Sequence, residues 1–153
     1  MKVFHAITGQ LEISLMDNSG TIVERRTANN SITPEGRVLL ARLFCGQSRI
    51  EKIKVRVAEN KEELFNSASV NEIELHNPSI ETRDIDGTRW AVIKIQAVFP
   101  KLVSTANAQN ITAAGLVLKE FNKDQEVLYN QVTFPTITRT SQLDMTLGWE
   151  IKF

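Results

Sequence analysis

The side chains that most often do chemistry are sparse in this sequence. There are two histidines, His5 and His76, and one cysteine, Cys45. Each histidine sits on the polar side or edge of an alternating stretch, with no carboxylate or cysteine at ligand spacing. A metal ligand or general base needs such partners, so both read as surface histidines. Cys45 has no second cysteine to pair with, and it closes an apolar run. It is expected to be a small buried hydrophobe rather than a reactive thiol. Asp84-Ile85-Asp86-Gly87-Thr88 places acids at alternate positions before a glycine, as a calcium loop begins. No acid follows at the position that would close such a site, and an Asp-Gly hairpin turn accounts for the same residues. Glu62-Glu63 and the acids within Asn71 to Glu74 read as solvated surface. The seven glycines are scattered at turns, and none forms a phosphate-cradling loop. The expectation is a protein that is not an enzyme and needs no metal or cofactor.

Charge narrows the partners. Lys+Arg and Asp+Glu both number 18, a formal net charge of zero. Proteins that neutralise many phosphates carry a basic excess or stripe. The densest basic stretch, Arg49 to Arg56, is interrupted by Glu51 and apolar residues. Nucleic acid and anionic membrane are therefore poor partners, whereas weak repulsion between copies suits an assembly. The opening residues lack the apolar core of a signal peptide, and no run is long enough to cross a membrane. A cytoplasmic protein, or one carried in a virion or injection particle, is expected.

The elements that must position these residues are mostly strands. Leu143, Met145, Leu147, Trp149, Ile151 and Phe153 alternate with polar residues without exception, so all six are expected in a core. Ala91, Ile93, Ile95, Ala97 and Phe99 mark a second strand, and Leu11, Ile13 and Leu15 a third. Ile53, Val55 and Val57 point inward from a fourth, with Lys52, Lys54 and Arg56 outward. Shorter strands are expected at Ile73/Leu75, Leu116/Leu118 and Leu128 to Phe134. Turns fall at Asp17-Asn18-Ser19-Gly20, at Asp86-Gly87 and at Asn122-Lys123-Asp124-Gln125. One segment breaks the alternation. Thr33-Pro34-Glu35 reads as N-cap, first-turn proline and first-turn acid, the run Val38 to Cys45 follows, and Gly46 stops it. This predicts one α-helix near residues 34–45, covered over most of its circumference. A weaker helical turn is expected within Glu59 to Phe65. The expected fold is mainly β: a single domain over 1–153, an antiparallel β-sandwich of seven or eight strands with that one helix.

Three stretches carry a resemblance. Asn30-Ser31-Ile32-Thr33-Pro34-Glu35-Gly36 leads into the helix. Ile111-Thr112-Ala113-Ala114-Gly115-Leu116-Val117-Leu118 follows, and then Leu128 to Thr140 with the closing Leu147-Gly148-Trp149-Glu150-Ile151-Lys152-Phe153. In that order they resemble small structural proteins of bacteriophage tails and phage tail-like contractile injection systems. The resemblance covers residues 10–153, and the C-terminal stretch is its specific part. Relatives usually carry a glycine-rich segment where this chain reads Val57-Ala58-Glu59-Asn60-Lys61-Glu62. The resemblance implies a structural assembly component at a tube end: a cap, plug, baseplate or fibre-attachment piece. Its partners would be other tail or injection-system proteins, with copies of itself in the assembly. The alternative is a receptor- or carbohydrate-binding module of a tail fibre, using an exposed Trp90 on a shallow surface. In the bottom-up reading, Gly115 marks a close backbone approach or a bulge, Pro135 ends a strand, and Arg139 is exposed on a connector.

Overall fold

The computed structural model describes residues 7–66, 71–76, 78–103 and 105–153. The most regular alternation in the chain becomes the middle of a sheet. β10 (Asp144–Lys152) buries Met145, Leu147, Trp149 and Ile151 and half-exposes the residues between them. It lies between β1 (Thr8–Met16) and β7 (Thr88–Phe99), antiparallel to both. β2 (Ile22–Asn29) and β6 (Ser79–Ile85) flank them, in the order β2-β1-β10-β7-β6. The second sheet has the order β3-β9-β8-β4-β5. Its strands are β3 (Ser31–Ile32), β4 (Ile50–Ala58), β5 (Asn71–Leu75), β8 (Gln109–Glu120) and β9 (Glu126–Arg139). Every pairing between described strands is antiparallel.

The two sheets share one core. Leu11, Ile13, Leu15, Ile95, Phe99 and Trp149 from the first meet Val55, Val57, Leu116, Val132 and Ile137 from the second. The fold class is the expected one, a mainly β antiparallel sandwich with a single α-helix among the described residues. The strand count is higher, ten instead of seven or eight. β2, β3 and β6 are the additions, and all three are edge strands without an apolar alternation.

α1 (Pro34–Phe44) connects β3 to β4 within the second sheet. Thr33 caps it: its Oγ1 accepts from Gly36 N–H at 2.9 Å. Gly36 sits so close to β9 that a Cβ there would lie 2.3 Å from the Tyr129 carbonyl oxygen. At the other end Gly46 takes φ +70°, with Gly46 N–H bonded to Leu43 O and Gln47 N–H to Arg42 O. That is a Schellman closure. The helix is less covered than its apolar run suggests. Only Gly36 and Leu39 are buried, and Val38 and Phe44 are 54% and 95% exposed. At 3.6 residues per turn a single stripe through Gly36, Leu39, Leu40 and Leu43 faces the core, which sends Val38 and Cys45 to the far side. Cys45 is therefore exposed, against expectation.

Four more positions depart from the sequence reading. Phe153 is 42% exposed, although its N–H and C=O still pair with Ala91. Pro135 does not end its strand. β9 continues through it because Phe134–Thr136 face Thr112 alone, a bulge that needs no N–H from the proline. Arg139 is buried at the end of β9, donating to Pro100 O and Gln109 Oε1 beside the Phe99 ring. Arg56 is buried as well. A 3-10 turn at Glu62–Phe65 lays Leu64 over the outer face of the second sheet, making a small second core with Ala58, Ala113, Val117 and Leu128. Gly115 matches its reading: a Cβ there would lie 2.7 Å from Asn130 O.

Candidate interaction surface

The residues first considered for chemistry do not converge. His5 lies outside the described residues. His76 is exposed between β5 and β6. Asp86 and Gly87 form the β6–β7 turn with φ +50° and +78°, the left-handed pair of a tight hairpin. Asp84 turns to Arg89, 3.1 Å from its Nε. Among the described residues no three His, Cys, Asp or Glu side chains gather as a metal-holding group. No helix among them is long and apolar enough to cross a membrane.

The acids of β5 are not simply solvated. Glu72 joins a four-charge network on the outer face of the second sheet. Arg56 Nη2 lies 2.7 Å from Glu72 Oε2 and 2.8 Å from Glu126 Oε2, and Lys54 Nζ lies 3.0 Å from Glu72 Oε1 and 2.7 Å from Glu126 Oε1. Arg56 Nη1 also donates to Leu64 O at 2.8 Å, tying the 3-10 turn to the network. Two positive and two negative groups balance, so the face is neutral and internally satisfied. Burial pushes the Glu72 carboxyl up, but hydrogen bonds from Arg56 and Lys54 outweigh it and hold the group below its ordinary value. The Lys54 ammonium is held above its ordinary value, chiefly by its bond to Glu126. The sequence signal was present in the pairing of Arg56 with Glu72 across two strands, but it needed the register to be read.

A different stretch of edge has no strand partner among the described residues. β7 is longer than the strand beside it. β6 pairs only with Thr88 to Lys94, whereas β10 on the other side pairs with Val92 to Phe99. Ala91 exchanges both backbone bonds with Phe153, so the odd-numbered residues of β7 direct their N–H and C=O toward β10. The even-numbered ones face the other way. Lys94 meets Ser79, and beyond it Gln96 and Val98 face no partner strand among the described residues. The described pairing ends at Ser79, the first residue of β6, with Pro78 just before it. A groove of about 380 Å³ runs along this open edge, bounded by Ile73, Leu75, His76 and Pro78 on the opposite wall. Val98 is 54% exposed within it. Backbone donors and acceptors beside apolar side chains are what an extended segment of another chain pairs with.

The outer face of the first sheet carries a shallow polar depression where Gly148 contributes no side chain, with Glu12, Lys94, Gln96 and Glu150 around it. Trp90 is half-buried, opposite Arg83 on β6, and does not line this depression. No protein-family model matches the chain, and no curated protein or solved structure matches it.

Proposed function

We propose that this protein is a non-enzymatic structural component of a phage tail or phage tail-like contractile injection system, located at a tube end as a cap, plug, baseplate or fibre-attachment piece. The open edge of β7 is the observation that carries the reading. A sandwich satisfies its own backbone everywhere except at strand edges, and most edges here are guarded. β2 carries Glu24, Arg25 and Arg26 and β6 carries Glu81, Arg83 and Asp84, charges that discourage pairing with a second chain. The Gln96–Val98 edge carries no charge of its own, with Lys94 and Glu74 lining the groove beside it. An extended segment of a neighbouring tail protein, or of a second copy, would add there as a short strand and seat its side chains against Ile73 and Leu75. The neutral net charge and the tail-like stretches at Asn30–Gly36, Ile111–Leu118, Leu128–Thr140 and Leu147–Phe153 support the same reading.

The test is incorporation. The chain should co-purify with tube, sheath or baseplate proteins encoded beside it. Val98→Lys places a charge on the open edge at an exposed site, so it should change folding stability by no more than about 0.5 kcal/mol. Incorporation into particles should fall at least tenfold. Particles that assemble and fire normally without this chain would remove the proposal. Unchanged incorporation of Val98→Lys would remove the edge from it.

A further inference from the structure

A pocket of about 350 Å³ opens on the outer face of the second sheet. The 3-10 turn supplies Leu64 and Phe65 to it, and the turn between β8 and β9 supplies Asp124 and Gln125. Leu64, Val117 and Leu128 are its buried, apolar side. Arg56 and Glu126 of the ion network border it.

Two of its side chains have no use within the fold. Phe65 is 62% exposed. A lone exposed phenylalanine is ordinary, but this one lines a pocket that also holds an unpaired acid. Asp124 is exposed and makes no hydrogen bond or ion pair with any described residue. Lys54 and Arg56 cancel Glu72 and Glu126 within the network, so the Asp124 charge is left uncompensated. Lys123, its neighbour in the turn, is turned to Glu120 at 2.7 Å. Gln125 is likewise unpaired and offers an amide carbonyl as a further acceptor.

An exposed aromatic ring, a free carboxylate and a free carbonyl together select a cation that is flat and rich in donors. A guanidinium stacks on an aromatic face and meets a carboxylate with two parallel N–H groups, which an ammonium does not. The chain already uses the stacking half of this geometry, with the Arg49 guanidinium 4.0 Å from the Phe121 ring centroid. A metal ion is disfavoured, since a single free carboxylate is far short of the oxygen set that calcium requires. We propose that this pocket receives an arginine side chain of a partner protein, its guanidinium stacked on the Phe65 ring and paired with the Asp124 carboxylate. The inference is independent of the β7 edge and of the assembly it is assigned to.

The probe is the peptide acetyl-Gly-Arg-Gly-amide, titrated into the intact chain and followed by NMR. The Phe65 ring and the Asp124 and Gln125 amides should shift together and saturate, with a Kd on the order of 1–10 mM for so small a contact. The same peptide with citrulline, which keeps the shape and loses the charge, should bind about tenfold more weakly. Asp124→Asn and Phe65→Leu alter exposed positions, so both should keep the parent's urea midpoint, and each should weaken the arginine peptide by about threefold. Glu62→Gln removes an exposed acid of the 3-10 turn that does not line the pocket, and it should leave the affinity unchanged. Shifts that never saturate, or citrulline binding as tightly as arginine, overturn the proposal. So does an Asp124→Asn affinity equal to the parent's, or equal weakening by Glu62→Gln, which would reduce the effect to general attraction by acids.

Discussion

Gly36 and Gly148 give opposite answers to the same substitution. Helix interiors ordinarily favour alanine over glycine by roughly 0.5–1 kcal/mol. At Gly36 that gain is reversed, because a Cβ would stand 2.3 Å from a backbone oxygen of β9 that has no flexible end to move. Gly36→Ala should therefore destabilise the protein, by about 1–3 kcal/mol. Gly148 has open space beyond its Cα and no positive φ. Gly148→Ala should stabilise by about 0.4–1 kcal/mol, mainly by restricting the unfolded chain. Urea midpoints of the two variants should move in opposite directions. Movement in the same direction would mean that α1 does not press on β9. The glycine in the Asn30–Gly36 stretch was visible as a motif residue, and Gly115 was legible as a close approach. Their neighbours in space were not. Arg56 and Arg139 show the same limit. Both look like outward cations in sequence, and both are buried because distant residues cover them: Leu64 lies over Arg56, and Pro100 and Gln109 receive Arg139.

Strands were legible in proportion to how one-sided their burial is. β10 buries one face and alternates throughout, as do β1 apart from Ser14 and β7 from Lys94 onward. β2 and β6 are exposed on much of both faces, so no period-two signal reaches the sequence, and charged residues occupy the edges instead. The ion network on β4, β5 and β9 was likewise hidden, since its members are far apart in the chain. It makes a testable element-level prediction. Glu72 has a depressed carboxyl pKa in the fold, so its contribution is complete above the ordinary value of 4.5 and is lost as pH falls through the lower, folded value. Lys54 has a raised pKa, so its contribution is complete below 10.5 and is lost as pH rises through the higher, folded value. Between these limits the network should be insensitive to pH. Glu72→Gln should be less stable than the parent at pH 7, and the gap should narrow on acidification toward pH 3 as the parent's own carboxylate is protonated. The difference in urea midpoint between parent and variant, followed from pH 7 to pH 3, checks this. A gap that stays constant would show that Glu72 is not ion-paired in solution.

At the scale of the molecule, the decisive feature is where β10 goes. It is last in element order yet central in its sheet, pairing with β1 on one side from Thr8↔Lys152 to Met16↔Asp144 and with β7 on the other. No local pattern specifies this. The alternation at 145–151 announces a core strand but not its neighbours, so the sandwich class was legible and the strand order was not. The consequence concerns folding. Without β10, β1 and β7 have no described partner between them, and Trp149, 1% exposed with its Nε1 bonded to Asn30 Oδ1 at 2.9 Å, is removed from the common core. The second sheet keeps all five strands, but its inner face, Leu116 and Ile137 included, then loses its cover. A chain deleted of residues 144–153 should consequently show no cooperative urea transition, whereas a surface change such as Val98→Lys leaves the transition intact. Because both neighbours of β10 present complete ladders to it, a synthetic peptide spanning residues 143–153, added during refolding, should pair in place and restore near-ultraviolet ellipticity and a cooperative transition. The non-local pairing also predicts slow folding for the intact chain, in milliseconds to seconds, as in other sandwiches dominated by long-range contacts. A truncated chain that unfolded cooperatively near the parent's midpoint would show that the two sheets do not depend on β10, and a central place for that strand between β1 and β7 would be wrong.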